Sequence, residues 1–174
     1  MDADEPTPEP RWLDENEQHA WLPLARMLVR LPALLSAQLQ RDSGMTHFEY
    51  TVLSCLSEAD EQTLRMSDLA QLSDGSLSRL SQVVGKLENR GWVSRRRSRE
   101  DRRAIHATLT DAGMAALVSA APGHVEAVRA LVIDPLNREQ LAQLRAICET
   151  VMATAEGNDG WFPGRDHDHE HPDA

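Results

Sequence analysis

Between Ser76 and Arg103 the chain gathers side chains suited to holding a polyanion. Ser76, Ser78, Arg79, Gln82 and Lys86 fall together on the outward face of a helix. Hydroxyls, an amide and long cations can donate to base edges in a major groove or grip phosphates. Arg95, Arg96, Arg97, Arg99, Arg102 and Arg103 follow, and seven arginines lie between Arg90 and Arg103 with no lysine among them. An exposed arginine-rich tip suits the minor groove, whose negative potential attracts guanidinium where it narrows. The plainer alternatives are a solvated helix face and a loop kept soluble by its charges.

The net charge of −10 seems to oppose nucleic acid, but its distribution does not. From Lys86 to Arg103, eight basic residues face three acidic ones, a local +5 that leaves −15 for the rest of the chain. A basic patch on an acidic body still attracts phosphate, because fields are largely screened beyond about 8–10 Å at physiological salt.

Other chemistry is thinly supported. His167, His169 and His171 alternate with acids near the C-terminus and could chelate a transition metal. The preferred reading is a polar tail, with no metal and no cofactor expected. Cys55 and Cys148 form no spaced cluster, so neither a disulfide framework nor a zinc finger is expected, and Cys55 reads as a small core residue. The sequence carries no phosphate-binding Gly loop, paired carboxylates or nucleophile–base arrangement. Ser76 and Ser78 lack an evident base, and His47 and His124 read as cap or interface residues. An enzyme is not expected.

The length of 174 residues suits one domain with tails. No apolar run approaches about 18 residues, so no membrane span is expected. The acidic N-terminus lacks a signal peptide's pattern, which makes the cytoplasm the expected location.

The elements that must position the basic face follow from periodicity. Asp14 and Glu17 match a capping box opening a helix to about Asp42, with a kink or break expected at Pro23 and Pro32. That helix is apolar around much of its circumference, which points to a subunit interface. Thr46 and Glu49 form a second capping box, with Met45 and Tyr50 as its staple, for a helix ending near Glu58. Leu64 to Met66 reads as a short strand. Ser67 caps a helix from Asp68 to Leu72, and Ser73-Asp74-Gly75 turns into another from Gly75 to Asn89. In that last helix Leu77, Leu80, Val84 and Leu87 are expected to face inward. Gly91 ends it, and Trp92–Arg97 and Ala104–Leu109 read as paired strands around the arginine tip. Thr110-Asp111 caps a fifth helix, interrupted at Pro122-Gly123. Asn137 and Gln140 box a final helix ending near Glu156.

In order and spacing, LRMSDLAQL, GSLSRLSQVVGKLENRGWV, EDRRA and LTDAG resemble the MarR family of bacterial winged-helix regulators. The resemblance implies a mainly α fold, a winged helix-turn-helix of about six helices with a small β-hairpin wing, dimerising through its N- and C-terminal helices. The expected layout is a disordered acidic arm (1–12), one domain (13–156) and a disordered His/Asp-rich tail (157–174). Within the domain, 13–42 and 111–156 would dimerise and 46–110 would form the DNA-binding lobe. The function implied is a ligand-responsive repressor, a homodimer on pseudo-palindromic double-stranded DNA. A winged-helix protein–protein adaptor without DNA binding is the alternative. The resemblance puts Arg103 in the minor groove, oriented by Asp101. Arg102 stands where family wings often carry glycine. An aromatic or phenolic small-molecule effector would sit in a pocket lined by Trp12, Trp21, Met27, Met45, His47 and Tyr50.

Overall fold

The computed structural model describes residues 10–97 and 104–159, with side chains through residue 154. Residues 1–9 of the expected arm (1–12), the wing tip at 98–103 and residues 160–174 of the expected tail (157–174) lie outside the described residues, and the last helix continues to Asp159, three residues into that tail. The chain divides into two compact units, residues 1–34 and 35–174.

The first unit holds most of helix α1 (Glu15–Ser43). Its start is the expected box: the Asp14 N–H donates to Glu17 Oε2 at 2.9 Å, and the Glu17 N–H to Asp14 Oδ1 at 2.8 Å. Of the kink or break expected at Pro23 and Pro32, the break is absent: the helix runs through both. Each proline removes the donor for a carbonyl four residues back. Those carbonyls belong to His19 and Leu28, both exposed, so water can satisfy them. Trp21, Leu22, Leu28 and Val29 are exposed along this helix.

In the second unit, helix α2 (His47–Glu58) begins at the Thr46–Glu49 capping box. A short turn at Asp60–Gln62 leads to strand β1 (Thr63–Arg65) and helix α3 (Met66–Leu72). Then come helix α4 (Leu77–Asn89), strands β2 (Val93–Arg97) and β3 (Ile105–Leu109), helix α5 (Asp111–Val128) and helix α6 (Arg138–Asp159). Leu39, Leu53, Leu56, Leu69, Leu80 and Leu87 are fully buried in one core with Met45, Val52 and Val84. Burying a side chain of this size contributes about 1.5–3 kcal/mol.

The sheet is antiparallel in the order β1-β3-β2. Arg65 pairs with His106, and Val93 with Leu109. Alternation along β3 sends Ala107 and Leu109 into the core. Helix α5 leaves the sheet at once, because Thr110 Oγ1 accepts the Gly113 N–H at 3.1 Å and donates to the Gly91 carbonyl. Glycine is required at 113, where a β-carbon would stand 2.1 Å from the Trp92 carbonyl oxygen.

The expected interruption at Pro122-Gly123 is absent. Helix α5 runs through both residues and ends in a single π turn at Arg129–Ile133. Pro122 orphans the carbonyl of Val118, which faces solvent. The Asn137–Gln140 box opens α6 as expected, with bonds of 3.0 and 2.9 Å.

Two helices, Glu15–Ser43 and Asp111–Ile133, are long and apolar enough by length and composition to cross a membrane, with mean hydropathies of 1.2 and 1.3. Neither is an uninterrupted apolar run, because charges fall within both. Arg26 and Arg30 sit inside the first, and a central arginine costs about 2.5–3.5 kcal/mol in a bilayer. The second carries Glu126 and Arg129 and buries Leu117 and Ala120 in the core.

Candidate nucleic-acid interface

Helices α3 and α4 are joined by a tight turn. Asp74 takes the left-handed conformation (φ 54°), and the Ser73 hydroxyl returns to the Leu69 carbonyl at 2.6 Å. The N-terminus of α4 differs from expectation. The helix begins at Leu77, not Gly75, because Ser76 caps it: Ser76 Oγ accepts the Arg79 N–H at 3.2 Å. The Ser76 hydroxyl therefore serves the helix end. Leu77 is 55% exposed rather than buried, one turn before the stripe of Leu80, Val84 and Leu87 begins. Likewise, α3 starts at Met66 with no side-chain cap, and Ser67 Oγ donates to Asp68 Oδ1 instead.

With Leu80, Val84 and Leu87 locked in the core, the opposite face of α4 presents Ser78, Arg79, Gln82 and Lys86 to solvent. Four polar side chains thus stand on one rigid helix. Arg79 is held from the side, its guanidinium carbon 4.1 Å from the centre of the Phe48 ring.

The wing strand splits the arginines by role. Arg96 and Arg97 are exposed. Arg95 instead grips Glu88 at the end of α4: its Nε and Nη2 donate to Oε2 at 3.0 and 2.7 Å, and its N–H to Oε1 at 3.2 Å. Those hydrogen bonds, the side-chain ones first, hold the Glu88 carboxyl below the usual carboxylate range. Arg95, expected to contact phosphate, instead has its guanidinium paired with a carboxylate across the turn between α4 and β2. Arg90 also acts internally, donating to the Gly44 carbonyl at 3.0 Å and stacking on Trp92. Arg99, Asp101, Arg102 and Arg103 lie outside the described residues. Between α4 and the wing lies a cleft of about 380 Å³, bordered by Arg65, Ser67, Leu77, Ser81, Arg95 and Ile105.

The residues expected to line an effector pocket are not all alike. Trp12, Trp21 and Met27 belong to the first unit and are exposed. Met45 is 1% exposed inside the core, where the capping box of α2 tucks it. His47 and Tyr50 gather around His124 of α5, with ring centres 5.6 and 4.4 Å from it. Burial lowers the pKa of both histidines, and for His124 the neighbouring His47 lowers it further. Burial raises that of Tyr50. His124 Nδ1 is buried with no partner among the described residues. Sequence marks His124 only as a cap or interface residue, because its contact with His47 and Tyr50 joins helices far apart in the chain.

Cys55 is half-buried, its thiol 3.7 Å from the Leu72 carbonyl, and burial pushes its pKa up, with Glu58 adding to the shift. A thiol so placed is a poor nucleophile. Cys148 is exposed. Among the described residues no three His, Cys, Asp or Glu side chains are grouped to hold a metal ion. His167, His169 and His171 lie outside those residues.

A solved structure of Sco3205, a MarR family transcriptional regulator from Streptomyces coelicolor in complex with DNA, is 43% identical to this chain. It superposes with a TM-score of 0.80 over 87% of this chain and 92% of its own. This chain belongs to the MarR family. AbsC, a MarR family transcriptional regulator from the same organism, is 36% identical with a TM-score of 0.79, covering 85% of this chain and 99% of its own. The MarR family model itself matches residues 45–105, from the start of α2 to the start of β3. Among curated relatives, the transcriptional repressor MprA of Escherichia coli (strain K12) is 25% identical over 122 residues, 69% of this chain. The transcriptional repressor YetL of Bacillus subtilis (strain 168) is 30% identical over 97 residues, 56% of this chain. The chain spans 66% and 58% of the lengths of these two curated relatives. In MarR-family terms α3 and α4 are the helix-turn-helix, and β2 and β3 are the stem of the wing.

Proposed function

We propose that this chain acts as a homodimeric, sequence-specific repressor that releases double-stranded DNA when a small aromatic or phenolic effector binds. The observation carrying the DNA-binding part is the polar face of α4, with Ser78, Arg79, Gln82 and Lys86 exposed over an immobile apolar stripe. Such a helix in a major groove reads base edges with its amide and guanidinium groups. Arg96 and Arg97 on β2 would add phosphate contacts; the family resemblance supports a minor-groove role for Arg103 with Asp101 beside it, both outside the described residues. Sco3205 was solved in complex with DNA, and MprA and YetL are named as repressors, which supports the same reading here.

The second copy is suggested by apolar surface that the single chain leaves uncovered. Trp21, Leu22, Leu28 and Val29 are exposed on α1, Val118 and Val125 on α5, and Ile147 and Val151 on α6. Charges within α1 and α5 favour a partner helix over lipid as the cover. A dimer places one α4 in each half of a pseudo-palindromic site. The effector would meet His47 and Tyr50 beside His124, whose buried Nδ1 has no hydrogen-bond partner among the described residues. The regulator is assigned to the cytoplasm, without cofactor or catalysis.

A gel shift with the gene's own upstream region, run at two salt concentrations, tests this. A retarded complex that weakens with salt and survives unrelated competitor DNA is expected. Equal loss to any competitor would reject sequence specificity.

A further inference from the structure

The family reading does not explain why an aromatic ring on α2 lies under a cation on α4. Phe48 is fixed from both sides. Its backbone sits inside the Thr46–Glu49 capping box, where the Thr46 N–H donates to Glu49 Oε2 at 2.7 Å. The ring is half-buried against the core, and its tip lies against the turn before α4. At Gly75 a β-carbon would stand only 2.6 Å from Phe48 Cζ, so glycine there leaves room for the ring. Arg79, in the first turn of α4, then lays its guanidinium on the ring at 4.1 Å.

The geometry points to Phe48 as a positioning residue that presents Arg79 to a guanine base edge. Stacking occupies one face of the guanidinium and leaves the donors at its rim free. None of the Arg79 side-chain donors has an acceptor among the described residues. A flexible arginine loses rotamer freedom when immobilised; one already laid on a ring loses less on binding. A planar, oriented donor pair matches guanine O6 and N7, whereas a phosphate would accept a freely moving cation equally well. The site is also at the N-terminal end of α4, the part of a recognition helix that contacts base edges. This inference rests on the DNA-binding reading.

The test uses the full chain and a duplex that the wild-type protein selects from a randomised pool. Affinities are measured for that duplex and for single base-pair replacements of it, at two salt concentrations. Phe48→Leu, which removes the ring face, is expected to weaken binding roughly two- to fivefold, the range of an exposed cation–π contact. It should relax discrimination at the same base pair as Arg79→Ala, with an unchanged salt slope because no charge is lost. Phe48→Tyr should keep both affinity and discrimination. In an Arg79→Ala background, Phe48→Leu should add nothing. Phe48→Met runs alongside as a second ring-free variant, and melting of each variant separates a folding loss from a binding loss. An equal loss in the Arg79→Ala background, or intact discrimination in the ring-free variants, would overturn the inference alone. A wild-type protein that selects no duplex would overturn the DNA-binding reading and this inference with it.

Discussion

Glu88 accepts three hydrogen bonds from Arg95, two from the guanidinium and one from the main chain. The pair ties the last turn of α4 to the middle of β2. It thereby fixes the angle between the helix that faces a major groove and the strand that carries the wing. Gly85 lies one turn before Glu88, and a β-carbon there would stand 3.8 Å from Arg95 Nη2, an ordinary contact beneath the guanidinium.

Replacing Glu88 with Gln should free Arg95 for phosphate and remove a negative charge beside the DNA-facing surface. Affinity for an unrelated duplex should rise. The slope of log affinity against log salt should steepen by up to about 0.9. Stability should change by less than about 1 kcal/mol, because the pair is partly solvated. Fluorescence anisotropy over a salt series measures the slope; an unaltered value would mean that Arg95 does not turn to DNA.

Gln82→Ala and Arg97→Ala should separate reading from gripping. Loss of the Gln82 amide should cost about 1–3 kcal/mol at one base pair and leave the salt slope alone. Loss of Arg97 should weaken binding to all sequences alike and reduce the slope by about 0.9. Competition with single-base-pair variants of the selected duplex, at several salt concentrations, distinguishes the two patterns. Reversed behaviour would exchange their roles.

What sequence could and could not reveal follows from the range of the forces involved. The three capping boxes at Asp14, Thr46 and Asn137 are contacts within one turn, so type and spacing suffice to locate them. The α4 stripe is equally local, apart from Leu77, whose exposure depends on where Ser76 caps the helix. The helices continue through Pro23, Pro32 and Pro122, because whether an orphaned carbonyl can reach water depends on the fold. The divided roles of the arginines were hidden for a similar reason. Arg95 meets Glu88 across a turn, and Arg90 meets Gly44 across 46 residues. The ring cluster of His47, Tyr50 and His124 joins two helices distant in sequence and leaves no periodic trace.

Gly113→Ala should destabilise the lobe more than its added methyl suggests. The new β-carbon would meet the Trp92 carbonyl and Leu109 Cδ1, at 2.1 and 2.7 Å before relaxation. Moving α5 away would disturb the Thr110 bonds to Gly91 and Gly113. A loss of about 1–3 kcal/mol is expected, the usual cost of overpacking. Urea unfolding measures it, and a gain, as at an unstrained helix glycine, would contradict the close approach.

Acidification should loosen the contact between α2 and α5. His47 and His124 both have pKa values below their ordinary value, chiefly because burial disfavours the imidazolium. Protonating either would also place it beside the other, with ring centres 5.6 Å apart. The unfolded chain therefore binds more protons than the folded one, in the window between the depressed values and the ordinary value near ~6.5. Stability is complete above that ordinary value and falls as pH drops through the window, the sign required when the unfolded state takes up more protons. Melting curves between about pH 7 and about pH 5 should show the decline. A His47→Gln, His124→Gln double variant should decline less over the same range. A decline of equal size in the double variant would remove these two histidines as its source.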